Sequence, residues 1–178
     1  MKSKIQLVQV NDSYGNQYFI PYSVGLLQSY CNQFDRVREN FTFMKFIYKQ
    51  EIDLEQQIKN MGKVDIFAQA CYVWNWQFNL EFAKLAKKYN PGALIVLGGP
   101  RVPDDSTGFF ERYSYVDILC HGEGELVFHD ILKQYMGDHR YDSIEGVSYY
   151  NREIDQTFFT PRRSRAIDLE SIDRKSVV

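Results

Sequence analysis

Ala93-Leu94-Ile95-Val96-Leu97 runs straight into Gly98-Gly99-Pro100. A short continuous apolar run of this kind suits a strand buried on both faces. The glycines that follow give the backbone dihedrals closed to other residues and let it approach a neighbour closely. A second stretch repeats the arrangement: Val116-Asp117-Ile118-Leu119-Cys120 leads into His121-Gly122-Glu123-Gly124-Glu125. In an open parallel sheet, ligands bind outside the carboxyl ends of the strands. Two glycine turns at two such ends predict a crevice for a large flat ligand or for a phosphate-bearing tail.

Working outward, the rest of the chain alternates strand and helix. Lys4 to Val10 reads as a first strand, and Asn11 to Phe19 as a polar, glycine-containing loop. A helix follows from Pro21, with Val24, Leu27, Cys31 and Phe34 at helical spacing. Phe41 to Tyr48 reads as a second strand, and Leu54, Ile58 and Met61 mark a helix ended by Gly62. Val64 to Ala70 is a third strand. Phe78, Phe82, Leu85, Ala86 and Tyr89 form a helical stripe closed by Asn90-Pro91-Gly92. Phe109 and Phe110 belong to a short helix, and Val127, Phe128, Ile131, Leu132 and Tyr135 to a longer one.

This alternation predicts an α/β fold of flavodoxin-like (Rossmann-like) type, a doubly wound parallel five-stranded sheet in the order 2-1-3-4-5. Its α/β domain spans residues 1–137. Residues 138–160 then form a C-terminal β-hairpin extension, from Gly146-Val147-Ser148-Tyr149-Tyr150 across Asn151-Arg152-Glu153 to Ile154–Phe159. Residues 161–178 read as a linker or tail, with Arg162-Arg163-Ser164-Arg165 as a solvated cluster.

Composition narrows the function classes. The 178 residues are 44% hydrophobic and 16% aromatic, enough for one real core. A net charge of −2 gives no broad pull toward nucleic acid or a membrane surface. No apolar run reaches membrane-span length, and Met1-Lys2-Ser3-Lys4 leads into a strand without a signal-peptide pattern. Cys31, Cys71 and Cys120 are odd in number and form no CxxC, so free thiols in a reducing cytoplasm are expected.

Each constellation has a structural reading beside a functional one. Gly98-Gly99-Pro100 is either a ligand cradle or an ordinary strand-to-loop turn. Glu123 and Glu125 suit the first turn of a helix through its dipole. The turn holds neither GxxxxGK[ST] nor GxGxxG, and its acids repel phosphate, which disfavours nucleotide binding there. In Tyr72-Val73-Trp74-Asn75-Trp76, Asn75 is a helix cap and Trp76 a core residue; the aromatics also suit packing on a large planar ligand. His121 stands at a strand end within reach of a ligand, whereas His129 and His139 are expected to face solvent. No metal-ligand spacing joins the histidines.

Taken in order, these pieces resemble the N-terminal cobalamin-binding domain of cobalamin-dependent radical S-adenosylmethionine enzymes. The resemblance rests on Val64-Asp65-Ile66, Tyr72-Val73-Trp74-Asn75, Asn90-Pro91 and Leu97-Gly98-Gly99-Pro100-Arg101-Val102-Pro103. It continues through Val116-Asp117-Ile118, Gly122-Glu123-Gly124-Glu125, Ile144-Glu145-Gly146-Val147-Ser148-Tyr149 and Asp168-Leu169-Glu170-Ser171-Ile172. It implies a module holding cobalamin at the carboxyl ends of the strands, with the nucleotide tail descending near Gly98 and Gly99. The corrin ring would lie over Asn11, Ser13 and Tyr14, over Tyr72, Val73, Trp74 and Asn75, over Gly98, Gly99, Pro100, Arg101 and Val102, and over His121, Gly122, Glu123, Gly124 and Glu125.

Three departures shape that expectation. Many cobalamin domains carry Asp-x-His-x-x-Gly after the first strand, whose histidine coordinates cobalt. Asn11-Asp12-Ser13-Tyr14-Gly15-Asn16 has no histidine, so cobalamin is expected base-off, with no protein histidine ligand. Ala70 stands where a serine is frequent. The three cysteines are too far apart for a CxxxCxxC iron–sulfur motif, so no cluster is expected in this chain and it is not catalytic alone. The expected partner is a radical S-adenosylmethionine catalytic domain in cis or trans, with methyl transfer as the reaction, and a second copy of the chain is a further candidate partner. The alternative is a stand-alone interaction or scaffold protein that kept the fold and lost the ligand. A flavin-binding reading is disfavoured by the lack of a phosphate loop after the first strand.

Overall fold

A computed structural model describes residues 1–11, 13–15 and 17–164. The main sheet contains β1 (Ser3–Val8), β4 (Phe41–Phe43), β5 (Ile66–Ala70), β6 (Leu94–Gly98), β7 (Ile118–Cys120), β8 (Val147–Asn151) and β9 (Gln156–Phe159). Its order is β4-β1-β5-β6-β7-β8-β9. The first five strands are parallel, and β8 and β9 join antiparallel. Numbered along the chain, the parallel part is the expected 2-1-3-4-5. The hairpin is not a separate layer: β8 pairs with β7 and extends the sheet to seven strands.

Among the described residues, six α-helices cover the two faces. They are α1 (Tyr22–Cys31), α2 (Asp35–Asn40), α3 (Leu54–Asn60), α4 (Trp76–Tyr89), α5 (Phe109–Arg112) and α6 (Gly124–Tyr135). Successive strand residues point to opposite faces, so each buried strand feeds two cores. Phe67, Ile95, Leu97 and Leu119 pack with Ile58 of α3, Phe82 of α4 and Phe110 of α5. Ile66, Ala68, Val96 and Ile118 pack with Val24 of α1, Val37 of α2 and Phe128 of α6. No helix among the described residues is long and apolar enough to cross a membrane.

Local signals explain the boundaries. The Asp53 side chain accepts the Gln56 N–H and starts α3; Gly62, at φ +66°, ends it. Asn90 accepts the Val64 N–H at 2.9 Å and ties the end of α4 to the strand before it. Beneath the sheet edge, Asp117 binds Lys87 Nζ at 2.8 Å, Arg152 Nη2 at 2.8 Å and the Ile95 N–H at 2.8 Å.

Several expectations need correction. The second strand stops at Phe43, and the chain returns to the sheet only through a bridge between Val8 and Ile47. Helix α2 lies in a polar stretch, Asp35–Asn40, that lacks an apolar stripe to announce it. The loop after the first strand folds into a small ribbon, β2 (Ser13–Tyr14) with β3 (Gln17–Tyr18). Arg163 is not simply solvated, because it pairs with Asp130 on α6 at 2.5 Å; Arg162 donates to the Asp104 carbonyl at 2.6 Å. Arg165 and the remainder of the expected tail, including 168–172, lie outside the described residues.

Candidate functional site

The sheet ends at a cleft of about 260 Å³ over the carboxyl ends of β5, β6 and β7, between α1 and α6. Small residues make its floor: Ala68 and Ala70 on β5, Gly98 ending β6, and Cys120 ending β7. Leu27 of α1 and Phe128 of α6 form apolar walls, while Glu123 and Glu125 lie at the start of α6. The space exists because the floor has no bulk. A Cβ on Gly98 would already stand 3.3 Å from the Cys120 Cβ.

The two glycine turns differ in what requires them. Gly99 has φ +105°, and a Cβ there would lie 2.8 Å from the Cys71 carbonyl oxygen and 3.0 Å from its nitrogen. Its close approach is therefore to the protein's own backbone. This seats the turn so that Gly98 O accepts the Cys71 N–H at 2.6 Å and Cys71 O accepts the Arg101 N–H at 3.0 Å. Gly122 has φ +81° with open space around it, and it lines the cleft. Gly124 lets α6 start against α1, where a Cβ would meet Leu27 at 3.2 Å.

Beside the cleft stands an aromatic platform. Tyr72 and Trp74 stack with centroids 4.6 Å apart and planes 10° apart. Trp74 is 55% exposed and Val73 79% exposed, on the loop at the carboxyl end of β5. Tyr72 Oη shares a 2.5 Å hydrogen bond with Ser23 Oγ of α1. Trp76 is instead buried against Phe109, with the Arg101 guanidinium 5.2 Å from its ring centre.

Asn75 holds this loop. It occupies the N-cap position of α4, but its side chain makes no capping bond. Instead Nδ2 donates to the carbonyls of Val10 and Ala70, both at 3.0 Å, and Oδ1 accepts the Tyr72 N–H at 2.7 Å. Asn79 Nδ2 donates to the same Oδ1 at 3.0 Å. The capping expectation gives way because a buried amide can satisfy groups from two strand ends at once.

A second, more polar cleft of about 240 Å³ lies across the Gly99–Gly122 saddle, lined by Pro100, Val102, Asp104 and His121. His121 is 7% exposed, and its Nε2 shares a 2.8 Å hydrogen bond with Ser148 Oγ on β8. His129 does not face open solvent as expected, because it stacks on Phe34 at 3.8 Å between α1 and α6. His139 is exposed.

The structure therefore gathers most of the expected residues around two adjoining clefts. Tyr72, Gly98, Gly99, Gly122, Glu123, Gly124 and Glu125 line the first. Pro100, Val102 and His121 line the second. Val73, Trp74, Asn75 and Arg101 stand beside them and line neither. Asn11 and Ser13 also line neither; Asn11 holds its loop through the Phe19 and Ile20 carbonyls at 3.4 Å, and Tyr14 belongs to β2. Sequence reading did not single out Ser23, Leu27 or Phe128 as site residues. Leu27 and Phe128 carry the helical spacing of ordinary core residues, and nothing local marks Ser23.

Burial pushes the thiols of Cys71 and Cys120 up to about 12 and that of Cys31 higher still. All three are buried, free thiols. Among the described residues, no group of three or more His, Cys, Asp or Glu side chains is placed to hold a metal ion.

No family model matches the chain. It is similar to the cobalamin-dependent radical SAM methyltransferase TokK of Streptomyces tokunonensis, 38% identical over 135 residues, which are 75% of this chain and 20% of that protein. The 2-(S-pantetheinyl)-carbapenam-3-carboxylate methyltransferase of Streptantibioticus cattleyicolor is 38% identical over 131 residues, 73% of this chain and 19% of that protein. The solved structure of the cobalamin-dependent S-adenosylmethionine radical enzyme OxsB, with aqua-cobalamin and S-adenosylmethionine bound, superposes with a TM-score of 0.70. That superposition is at 21% identity and covers 92% of this chain and 23% of OxsB. The chain thus spans about a fifth of the length of the curated relatives it matches. By sequence and fold it is a homologue of the N-terminal cobalamin-binding domain of cobalamin-dependent radical S-adenosylmethionine methyltransferases.

Proposed function

We propose that this chain is a cobalamin-binding module that serves a radical S-adenosylmethionine catalytic domain, in methyl transfer. The observation that carries the reading is the cleft floored by Ala68, Ala70, Gly98 and Cys120 at the carboxyl ends of adjacent parallel strands. A floor without side-chain bulk accepts an inserted tail, and the apolar walls from Leu27 and Phe128 suit an aromatic base. The acids at the start of α6 make the same cleft a poor site for a free nucleotide polyphosphate.

The residues present fit cobalamin as follows. Ala68, Ala70 and Gly98 would leave room for its nucleotide tail, and Gly122, which lines the cleft with open space around it, would leave backbone accessible to the cofactor. Tyr72 and Trp74 offer a stacked aromatic face, exposed at Trp74, beside the cleft, which would suit packing against a corrin. Of the three histidines, His121 engages Ser148 and His129 stacks on Phe34, so neither offers itself as a ligand from below. The reading takes cobalamin to bind base-off, with its tail in the cleft and no protein histidine on cobalt. Bound cobalamin supplies methyl-carrying cobalt chemistry; this chain binds it, orients it and screens its tail from water. The iron–sulfur cluster and the reaction itself fall to the partner domain.

Cobinamide tests the reading, because it keeps the corrin and lacks the nucleotide tail. Tail insertion predicts that hydroxocobalamin binds at least about tenfold more tightly than cobinamide, the equivalent of about 1.4 kcal/mol. Equal affinities would place the tail outside the cleft.

A further inference from the structure

Away from the main cleft, β4 forms one edge of the sheet: it pairs with β1 on one side and with no described strand on the other. The chain that continues from β4 borders a groove of about 560 Å³. Phe43, Met44, Phe46 and Tyr48 line one side of it, and Pro21 and Gln28 the other. Ile20 and Tyr22, the two neighbours of Pro21, are exposed, as is Tyr48. A depression with this much apolar surface open to water marks an interaction site.

The charge at the groove is positive. Lys45 lines it, and Lys49 Nζ lies 4.4 Å from the ring centre of Tyr18 and 5.3 Å from that of Tyr48. No acidic side chain lines the groove; Glu51, the next acid along the chain, lines a separate depression beside α3. An occupant that matches this surface carries apolar residues with acids between them.

The chain itself carries such a segment. Ile167-Asp168-Leu169-Glu170-Ser171-Ile172-Asp173 alternates aliphatic and acidic residues, a short way beyond Ser164, where the described residues end. The chain that leads to it is held beside α1. Pro161 O accepts the Gly146 N–H at 2.8 Å, and Arg163 pairs with Asp130 of α6 at 2.5 Å. His129, next to Asp130, meets Tyr30 of α1 edge-on with ring centres 6.0 Å apart. Gln28, which lines the groove, stands about 200° around α1 from Tyr30. The helix is about 10 Å across, and the stretch from Arg163 to Leu169 spans up to about 20 Å when extended. Leu169 is therefore within reach of the groove. So short a tether holds its segment at an effective concentration of about 1 mM, so an intrinsic dissociation constant of about 0.1 mM keeps about nine-tenths of it docked.

We propose that the groove between β4 and α1 receives the chain's own residues 167–173, with aliphatic side chains among Phe43, Phe46 and Tyr48 and acids toward Lys45 and Lys49. Docking ties the end of this segment to the edge of the sheet opposite the hairpin, and needs no cofactor.

A protease that cuts after glutamate tests this on the full chain, because the bond after Glu170 lies inside the segment. Cleavage tracks the undocked population when docking is fast. Protection is the cleavage rate of a synthetic peptide of residues 165–175 divided by the rate at the same bond in the chain. The parent is expected to show about tenfold protection, independent of protein concentration. Lys45→Glu with Lys49→Glu should reduce it to under about threefold, since the groove then repels the acids. Adding Asp168→Lys and Asp173→Lys to that variant, with a peptide of matching sequence, should restore it. A parent chain cut as fast as its peptide overturns the inference. So does protection that survives reversal of the two lysines, or that is lost on reversal and not regained in the swap. Protection that rises with protein concentration overturns docking within one chain and points to exchange between copies. All of these readings are made without cobalamin, so their failure leaves the proposed function standing.

Discussion

The Asn75 side-chain amide reaches back along the chain to the Val10 carbonyl, 3.0 Å away. One residue thereby joins the end of the first strand to the loop that carries Tyr72 and Trp74. The bond ties the loop after β1 to the loop after β5, of which Tyr72 lines the main cleft.

Removing that bond is expected to cost both stability and binding. Asn75→Ala leaves the Val10 carbonyl and the Tyr72 N–H without their side-chain partner, while the Ala70 carbonyl keeps the Asn79 amide at 3.1 Å. The expected loss is roughly 2–4 kcal/mol, read as a lower midpoint in urea unfolding with an unchanged slope. Asn75→Asp keeps the acceptor and loses both donors, so it should be no better than alanine. An Asn75→Asp protein as stable as the parent would show that the Val10 carbonyl is satisfied some other way.

Gly99 and Gly122 separate a packing glycine from an open one. Gly99→Ala drives a Cβ to 2.8 Å from the Cys71 carbonyl oxygen at positive φ. It should lose more than about 3 kcal/mol, since backbone strain and overlap add. Gly122→Ala has the strain without the overlap and should lose about 1–2 kcal/mol. Similar losses at both sites would contradict the assignment of Gly99 to internal packing.

Asp117 is the clamp at the other end of the sheet. Its carboxylate meets Lys87, Arg152 and the Ile95 N–H, and joins α4, β6, β7 and the hairpin. Asp117→Ala strands Lys87 in a partly buried place and should destabilise by about 3 kcal/mol. Arg152→Ala touches a more exposed partner and should cost under about 1 kcal/mol.

Acid should weaken the contact between α3 and α4. The Glu55 carboxyl accepts from Tyr89 and from Lys88, and its pKa is pulled down to about 2. A carboxylate with a depressed folded-state value contributes above its ordinary value of 4.5, and the contribution is lost as pH falls toward about 2. The stability advantage of the parent over Glu55→Gln should therefore be present at pH 6 and fade across that window. Because the cluster is exposed, salt should shrink the advantage. An advantage independent of pH would show that the pairing is not ionic.

Much of the architecture was legible in the sequence because its signals are local. Apolar runs such as Leu94–Leu97 and the stripe from Phe78 to Tyr89 fix strand and helix, and their alternation fixes strand order through right-handed crossovers. Helix α2 was illegible because Asp35–Asn40 is held by neighbours, not by an amphipathic face of its own. Attachment of the hairpin to β7 was illegible for a related reason: strand pairing depends on which sheet edge lies open. At the site, the glycine turns and the Tyr72–Asn75 loop were visible as motifs. The roles of Gly99 and Asn75 were not, since both depend on atoms of other strands, at Cys71 and Val10. Ser148, which meets His121, gave no signal, because a serine acquires its role only from what the fold places beside it.

The measurement that bears most directly on the central claim is an anaerobic titration of the whole chain with hydroxocobalamin, followed by desalting and an absorbance spectrum of the protein fraction. A cleft floored by Ala68, Ala70, Gly98 and Cys120 that takes up the nucleotide tail predicts colour retained with the protein and bands shifted toward the base-off form. A colourless protein fraction would contradict it and favour the scaffold reading.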